Sequence, residues 1–167
     1  MKTFLTFAFA FLLAFSASAS AADSIGFVKT MSGETTIART GVDEAPQVGA
    51  ALYTGDVIRT GNDGSLGFVL KDGTSLTAGP DTVLAVDDYA FSPETDQYGL
   101  AARVSQGTVD FVSGLLGKAA PESVKVETPS GVIGIRGTHF VVNVGQTRSS
   151  TQWLEATNPH RGSDFGG

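Results

Sequence analysis

Val57-Ile58-Arg59-Thr60-Gly61-Asn62-Asp63-Gly64-Ser65-Leu66-Gly67-Phe68-Val69-Leu70-Lys71-Asp72-Gly73 is the stretch whose reading decides the fold class. Leu66, Phe68 and Leu70 alternate with Gly67, Val69 and Lys71. A period of two sends successive side chains to opposite faces of a strand. The run lies between two Asp-Gly pairs, 63–64 and 72–73, nine residues apart. Asp tolerates left-handed backbone and Gly takes positive φ without a Cβ clash, so each pair marks a turn. One strand between two turns is β architecture.

The same punctuation continues outward. Ile25–Lys29 and Thr35–Arg39 flank Ser32-Gly33-Glu34 and read as a first hairpin. Thr74–Ala78 stops at Gly79-Pro80-Asp81, and Thr82–Val86 forms the next strand. Leu100, Ala102 and Val104 alternate, as do Val109 and Phe111, then Val124, Val126 and Thr128. Val132–Val144 carries the strongest strand signal, with Ile133 and Ile135, then Phe140, Val142 and Val144 opposite His139, Val141 and Asn143. Asp87–Gly99 is polar apart from Tyr89, Phe91 and Tyr98 and reads as a longer excursion, while Ser113–Glu122 reads as a loop with apolar Leu115 and Leu116. No segment keeps a 3.6-residue apolar stripe over three turns, so no major helix is expected. The chain is expected to be all-β, with short strands and tight Gly/Asp turns. Periodicity leaves a solenoid-like or wrapped β-structure and a two-sheet β-sandwich both open.

Composition agrees. The 167 residues are 41% hydrophobic and 17% charged, which suits one globular domain. Gly accounts for 21 residues and Pro for 6, with no three-residue Gly period. A net charge of −6 argues against a nucleic-acid partner, which would call for a basic field. With no Cys, disulfides, thiolate catalysis and zinc ribbons are excluded together.

Residues 1–22 read as a secretory signal peptide. Lys2 precedes the apolar run Phe4–Phe15, broken only by Thr6, and small residues follow from Ser16 to Ala22. Cleavage is expected after Ala21 or Ala22 by the A-x-A rule. The run is too short for the ~20 residues of a spanning helix, so no transmembrane anchor is expected in the mature chain. Loss of Lys2 takes the charge from −6 to −7. Residues 23–144 then form the β domain. After Val144 the pattern stops: Gly145–Gly167 holds only Trp153, Leu154, Ala156 and Phe165 as apolar residues and reads as a flexible C-terminal tail.

Four pieces stand in a specific order: Gly49–Gly61 around Leu52 and Gly55-Asp56, then Phe68–Thr74 with Asp72-Gly73, then Gly107-Thr108-Val109-Asp110-Phe111, and last Thr128–Phe140 with Ile135-Arg136-Gly137-Thr138-His139-Phe140. Together they resemble the FecR domain, in the pattern G-x-x-L-x-x-G-D-x-I-x-T, D-G-S/T and T-P-x-x-x-x-G-x-R-G-T-x-F. The resemblance covers about Asp23 to Val144. With the turn spacing, it favours the solenoid-like or wrapped form over the β-sandwich. The family's founding members are single-pass sensors whose periplasmic part couples an outer-membrane iron–siderophore transporter to a cytoplasmic sigma factor. No counterpart of their sigma-binding segment, spanning helix or transporter-contacting extension is expected here. The resemblance therefore points to the stand-alone exported members, in the periplasm or outside the cell, and does not by itself carry iron regulation over to this chain.

The motif residues Gly55, Asp56, Asp72, Gly73, Arg136, Gly137 and Thr138 have readings that are structural first. Gly55-Asp56 turns the chain sharply, with Asp56 accepting backbone N–H bonds or pairing with a buried cation. Arg136, between Ile135 and Gly137 in an apolar strand, needs a carboxylate or several carbonyls, and Asp56 or Asp72 is the expected partner. Gly134 and Gly137 permit bends or close approach, and Thr138 bonds locally to backbone.

Enzyme readings are thin, and no catalytic residue, cofactor or metal is expected. The two His stand apart, at 139 on a strand's outward face and at 160 in the tail. There is no Gly-x-Ser-x-Gly elbow, and Ser130 has no base nearby in sequence. Acidic residues between Asp87 and Asp96 read as a solvated loop, and Gly61–Leu66 resembles only a single calcium-binding nonapeptide unit, which needs stacked copies to share ligands. The expected function is a non-enzymatic exported interaction module, in envelope signalling or assembly, that contacts an envelope protein through sheet edges and loops. The alternative is a small-ligand or glycan/peptidoglycan-binding protein whose stacking surface would be Tyr89, Phe91 and Tyr98.

Overall fold

The computed structural model describes residues 23–135 and 139–145. Twelve strands run through them: β1 (Gly26–Ser32), β2 (Thr35–Arg39), β3 (Val42–Glu44), β4 (Ala51–Leu52), β5 (Val57–Thr60), β6 (Ser65–Leu70), β7 (Ser75–Ala78), β8 (Val83–Ser92), β9 (Gln97–Val112), β10 (Val124–Thr128), β11 (Gly131–Gly134) and β12 (His139–Val144). A single helical turn, α1 (Leu116–Ala119), and two 3₁₀ turns complete the set. The all-β expectation holds, and the wrapped form is the one the pairing describes: one sheet curled around one core. Neighbouring strands are antiparallel everywhere except β9–β10, whereas stacked solenoid coils would pair in parallel.

The sheet has two walls joined through β9. The front wall runs β4-β1-β6-β7, then the C-terminal part of β9, then β12. The back wall runs β3-β2-β5-β8, then the N-terminal part of β9, then β10 and β11. Strands therefore come in rows across the two walls: β4 with β3, β1 with β2, β6 with β5, β7 with β8, and β9 with itself.

The crease between the walls follows from where the chain can bend. It crosses at Ser32–Glu34 between β1 and β2, at Gly61–Gly64 between β5 and β6, and at Gly79–Thr82 between β7 and β8. Within β9 it crosses at Ser105–Gly107, where the register slips and Gly107 takes φ +88°. These corners stack and bond to one another. Gly61 N–H donates to Glu34 O at 2.8 Å, Asp81 N–H to Gly61 O at 3.0 Å, and Gly79 N–H to Thr108 O at 2.9 Å. Thr60 Oγ1 donates to Gly79 O at 2.6 Å, and Thr82 Oγ1 accepts Thr108 N–H at 3.0 Å. The approach is too close for side chains: a Cβ at Gly33 would strike the Asp63 backbone, and one at Gly64 the Glu34 carbonyl.

Alternation places one face of each wall inside. Ile37, Ile58, Leu84, Leu100 and Val126 from the back wall meet Val28, Leu66, Phe68, Leu76 and Phe111 from the front in one cluster. Burial of such aliphatic and aromatic side chains stabilises by about 1.5–3 kcal/mol each, which is how a chain without disulfides holds together.

Four local expectations are corrected. Ser32-Gly33-Glu34 is not a hairpin turn, because β1 pairs with β4 and β6 while β2 pairs with β3 and β5. Asp87–Gly99 is no excursion: β8 and β9 continue as a ladder to Ser92↔Gln97, closed by a 3₁₀ turn at Pro93–Thr95 with Asp96 in the left-handed region. Ser113–Glu122 contains α1, and its Leu116 is fully buried. Val132–Val144 is two strands on different walls, since β11 pairs with β10 and β12 with β9.

Candidate interaction surface

The motif residues that fall within the described part hold the sheet together. Gly55, at φ +89°, turns the chain after β4 so that the Asp56 carboxylate points back over the turn. Asp56 is 1% exposed and accepts Tyr53 N–H at 2.9 Å. Arg39 on β2 grips it bidentately, Nε to Oδ1 and Nη2 to Oδ2, both at 2.8 Å. Nη2 also donates to Ala51 O at 3.0 Å, and the guanidinium lies 4.5 Å from the Tyr53 ring centre. The hydrogen bond to Asp56 raises the Arg39 pKa above its ordinary value, against the opposing effect of burial. This charge-assisted fork ties β2 of the back wall to β4 of the front wall. The cation expected for Asp56 is thus present, but it is Arg39; the expected pairings of Arg136 fall outside the described residues, as do Gly137 and Thr138.

Asp72 solves the same burial problem with neutral donors. It sits at the β6–β7 turn, where Gly73 takes φ +84°. Its Oδ1 accepts from Thr74 N–H at 3.2 Å and from the Tyr89 hydroxyl at 3.1 Å. Its Oδ2 accepts from Thr74 Oγ1 at 2.6 Å and Leu116 N–H at 3.1 Å. The Tyr89 oxygen in turn accepts Asp72 N–H at 2.9 Å. Burial first, and the Asp72 charge second, push the Tyr89 pKa up, so this hydroxyl stays protonated. Tyr89, Phe91 and Tyr98 all pack against the core, and the Phe91 and Tyr98 rings lie 6.1 Å apart, tilted. The structure therefore brings Asp72 and Tyr89 together, a pair the sequence analysis names separately.

The side formed by β10–β12 differs. Both β10 and β12 pair with the same edge of β9, at 100–103 and at 107–112, and diverge across its bend. Ile133 stands opposite Val126, whose side chain is in the core, and so faces inward. Yet Ile133 is 41% exposed, with Val132 at 62% and Val141 at 58%. Phe140, stacked on Phe111 at 4.7 Å, and Val144 are only partly covered. Two adjoining hollows of about 320 and 410 Å³ run between β11 and β12, sharing Ile133, Val141 and Val142. Every back-wall strand from β3 to β10 has a front-wall counterpart among the described residues, and β11 does not.

On the outer face of β12, His139 Nε2 lies 2.7 Å from Asp110 Oδ1 and Asn143 Nδ2 donates to Thr108 Oγ1 at 2.7 Å. These bonds pin β12 to β9. Sequence reasoning passed over Arg39 and the exposure of Ile133. The signal for the first was the isolated cation in an alternating strand; for the second, Gly131 and Gly134 bracketing a two-residue apolar pair. Among the described residues no helix is long and apolar enough to cross a membrane. The expected signal peptide at 1–22 and most of the tail lie outside the described residues.

Nothing among curated proteins and nothing among solved structures matches the chain. A family model described as FecR protein matches residues 56–156, from the buried Asp56 through β12 and beyond it. Well over half of the sequence lies in that match, and the chain belongs to the FecR family.

Proposed function

We propose that this chain is a non-enzymatic, exported protein-interaction domain of the cell envelope, acting in signalling or assembly. The partner contributes an extended segment that adds as a strand beside β12 and over β11. One observation carries this reading: Ile133 faces inward yet is 41% exposed, on an edge strand. Folded proteins blunt exposed edges with charges, proline or bulges. Gly131-Val132-Ile133-Gly134 has neither charge nor proline, which suits a surface meant to be covered. Strand addition supplies main-chain hydrogen bonds, and hollows beside the strand supply side-chain specificity. Membership of a family associated with envelope signalling supports the setting.

The test is capture from envelope extract on immobilised chain 23–167, with Ile133→Asp as the comparison and circular dichroism to check its fold. A protein retained by the wild type and lost with a folded Ile133→Asp chain is the expected result. Equal retention on both would move the contact elsewhere. Retention of peptidoglycan or polysaccharide in place of protein would replace the reading with ligand binding.

A further inference from the structure

We propose that the cleft between β3 and β4, at the end of the stack opposite β11, binds a short neutral saccharide through Arg39, Glu44 and Gln47. The site is separate from the strand-addition surface and does not depend on it.

The cleft has a volume of about 610 Å³, within the ~300–1,000 Å³ of small-molecule sites. Its walls come from β2, β3, the connection at 45–50 and β4. That connection is fixed before any ligand arrives. Gly49 takes φ +90° and donates its N–H to Val28 O at 2.8 Å, and Ala50 N–H donates to Gln47 O at 2.9 Å. A wall already in place loses little freedom on binding.

Backbone bonding argues against a strand as the occupant. Ala50 O and Leu52 O accept from Val28 and Ile25 N–H, so these two residues turn their backbone groups towards β1. Successive residues of a strand point to opposite edges, so Ala51 and Tyr53 turn theirs towards the cleft. There Arg39 Nη2 donates to Ala51 O at 3.0 Å, and Asp56 Oδ2 accepts Tyr53 N–H at 2.9 Å. An incoming strand finds this edge taken, whereas a small molecule needs none of it.

Charge and hydrogen-bonding chemistry select the ligand. The fork to Asp56 uses Nε and Nη2 of Arg39. It leaves Nη1, which lies 3.9 Å from Glu44 Oε2, beyond hydrogen-bond reach. Arg39 against Asp56 and Glu44 leaves one negative charge in excess, which disfavours an anion. A cation drawn to Glu44 would meet the Nη1 N–H groups beside it. A hydroxyl both donates and accepts, so neighbouring sugar hydroxyls can accept from Nη1 and donate to Glu44 at once. The exposed Gln47 amide adds a further donor and acceptor to the lining. Val48, 65% exposed in the same lining, offers apolar contact to the C–H face of a ring.

The test is calorimetric titration of the chain 23–167 with cellotriose, maltotriose and triacetylchitotriose. At least one is expected to bind with a Kd on the order of 1 mM. Glu44→Ala and Gln47→Ala, both at exposed positions, should each weaken that binding several-fold, while Tyr98→Ala leaves it unchanged. Trigalacturonate should bind several-fold more weakly than the neutral trimer. Should Glu44→Ala alter the fold by circular dichroism, Gln47→Ala carries the test alone. Four results would each overturn the proposal: no neutral trimer bound at millimolar concentration, tighter binding of trigalacturonate or trilysine, binding indifferent to the folded variants, or binding lost with Tyr98→Ala. Saccharide binding here should ignore a folded Ile133→Asp, and partner capture should ignore Glu44→Ala, so the two readings fail separately.

Discussion

At one end of the row stack β3 and β4 are the last strands of their walls, and Arg39 fastens the two walls through Asp56 and the Ala51 carbonyl. At the other end β11 stands over no described strand, and its inward Ile133 meets solvent. The first end is closed by a directional polar clamp; the second presents apolar side chains and a backbone edge without a partner strand among the described residues. A clamp of that kind fixes geometry and leaves little for another chain to gain. An apolar edge gains free energy from whatever covers it. The contrast separates the part of the domain that keeps shape from the part suited to exchange partners.

The largest expected effect tests the clamp. Arg39→Met leaves the Asp56 carboxylate buried with a single described donor, Tyr53 N–H. Removing one partner of a buried ion pair costs about 3 kcal/mol or more, read as a lowered urea midpoint. Asp56→Asn should cost less, about 1–3 kcal/mol, because a neutral amide still offers an acceptor and the Arg39 side chain, 34% exposed, can turn to water. Reversal of that order would mean that the guanidinium, and not the carboxylate, is the group stranded by the change.

Between the ends, Tyr89→Phe removes one donor and one acceptor from Asp72 and should cost about 1 kcal/mol. The sign with pH is fixed by the raised Tyr89 pKa. The unfolded chain ionises this phenol near its ordinary pKa of about 10, while the folded chain holds it neutral. Its contribution is therefore complete below that value and is lost as pH rises beyond it. Urea unfolding of the wild type from pH 8 to 11 should show an extra alkaline decline that Tyr89→Phe lacks. A glycan-stacking role predicts instead an unchanged midpoint with weakened ligand retention.

The smallest effect belongs to the open end. Val132→Lys, on the outer face of an edge strand, should change stability by no more than about 0.5 kcal/mol while reducing strand addition. Were it to cost as much as Arg39→Met, the two ends would not differ in kind and the contrast would collapse.

The strands were legible because period-two alternation is local: Leu66, Phe68 and Leu70 show their common face without any partner in view. The crease was not, because a corner between walls and a turn within one wall use the same residues. Asp63-Gly64 crosses the crease and Asp72-Gly73 closes a hairpin, although the dipeptides are identical. Which one occurs depends on what lies beside it, here Glu34 against Asp63. Asp56 reads as an acceptor for backbone N–H groups or for a cation, and Arg39 becomes its partner only once β2 lies beside β5. The Tyr89 hairpin was obscured by polar side chains near its tip, and the break between β11 and β12 by apolar residues that continue on both sides of it.

The double membership of β9 has a mechanical consequence. Two sheets held only by side chains can slide or part along their shared interior. Here a continuous peptide passes from one wall into the other at 105–107, and bonds from Gln106 and Thr108 to the Asp81–Thr82 corner hold it there. Leverage applied beside β9, where β10 and β12 attach, is therefore passed to both walls through backbone and not through packed side chains alone.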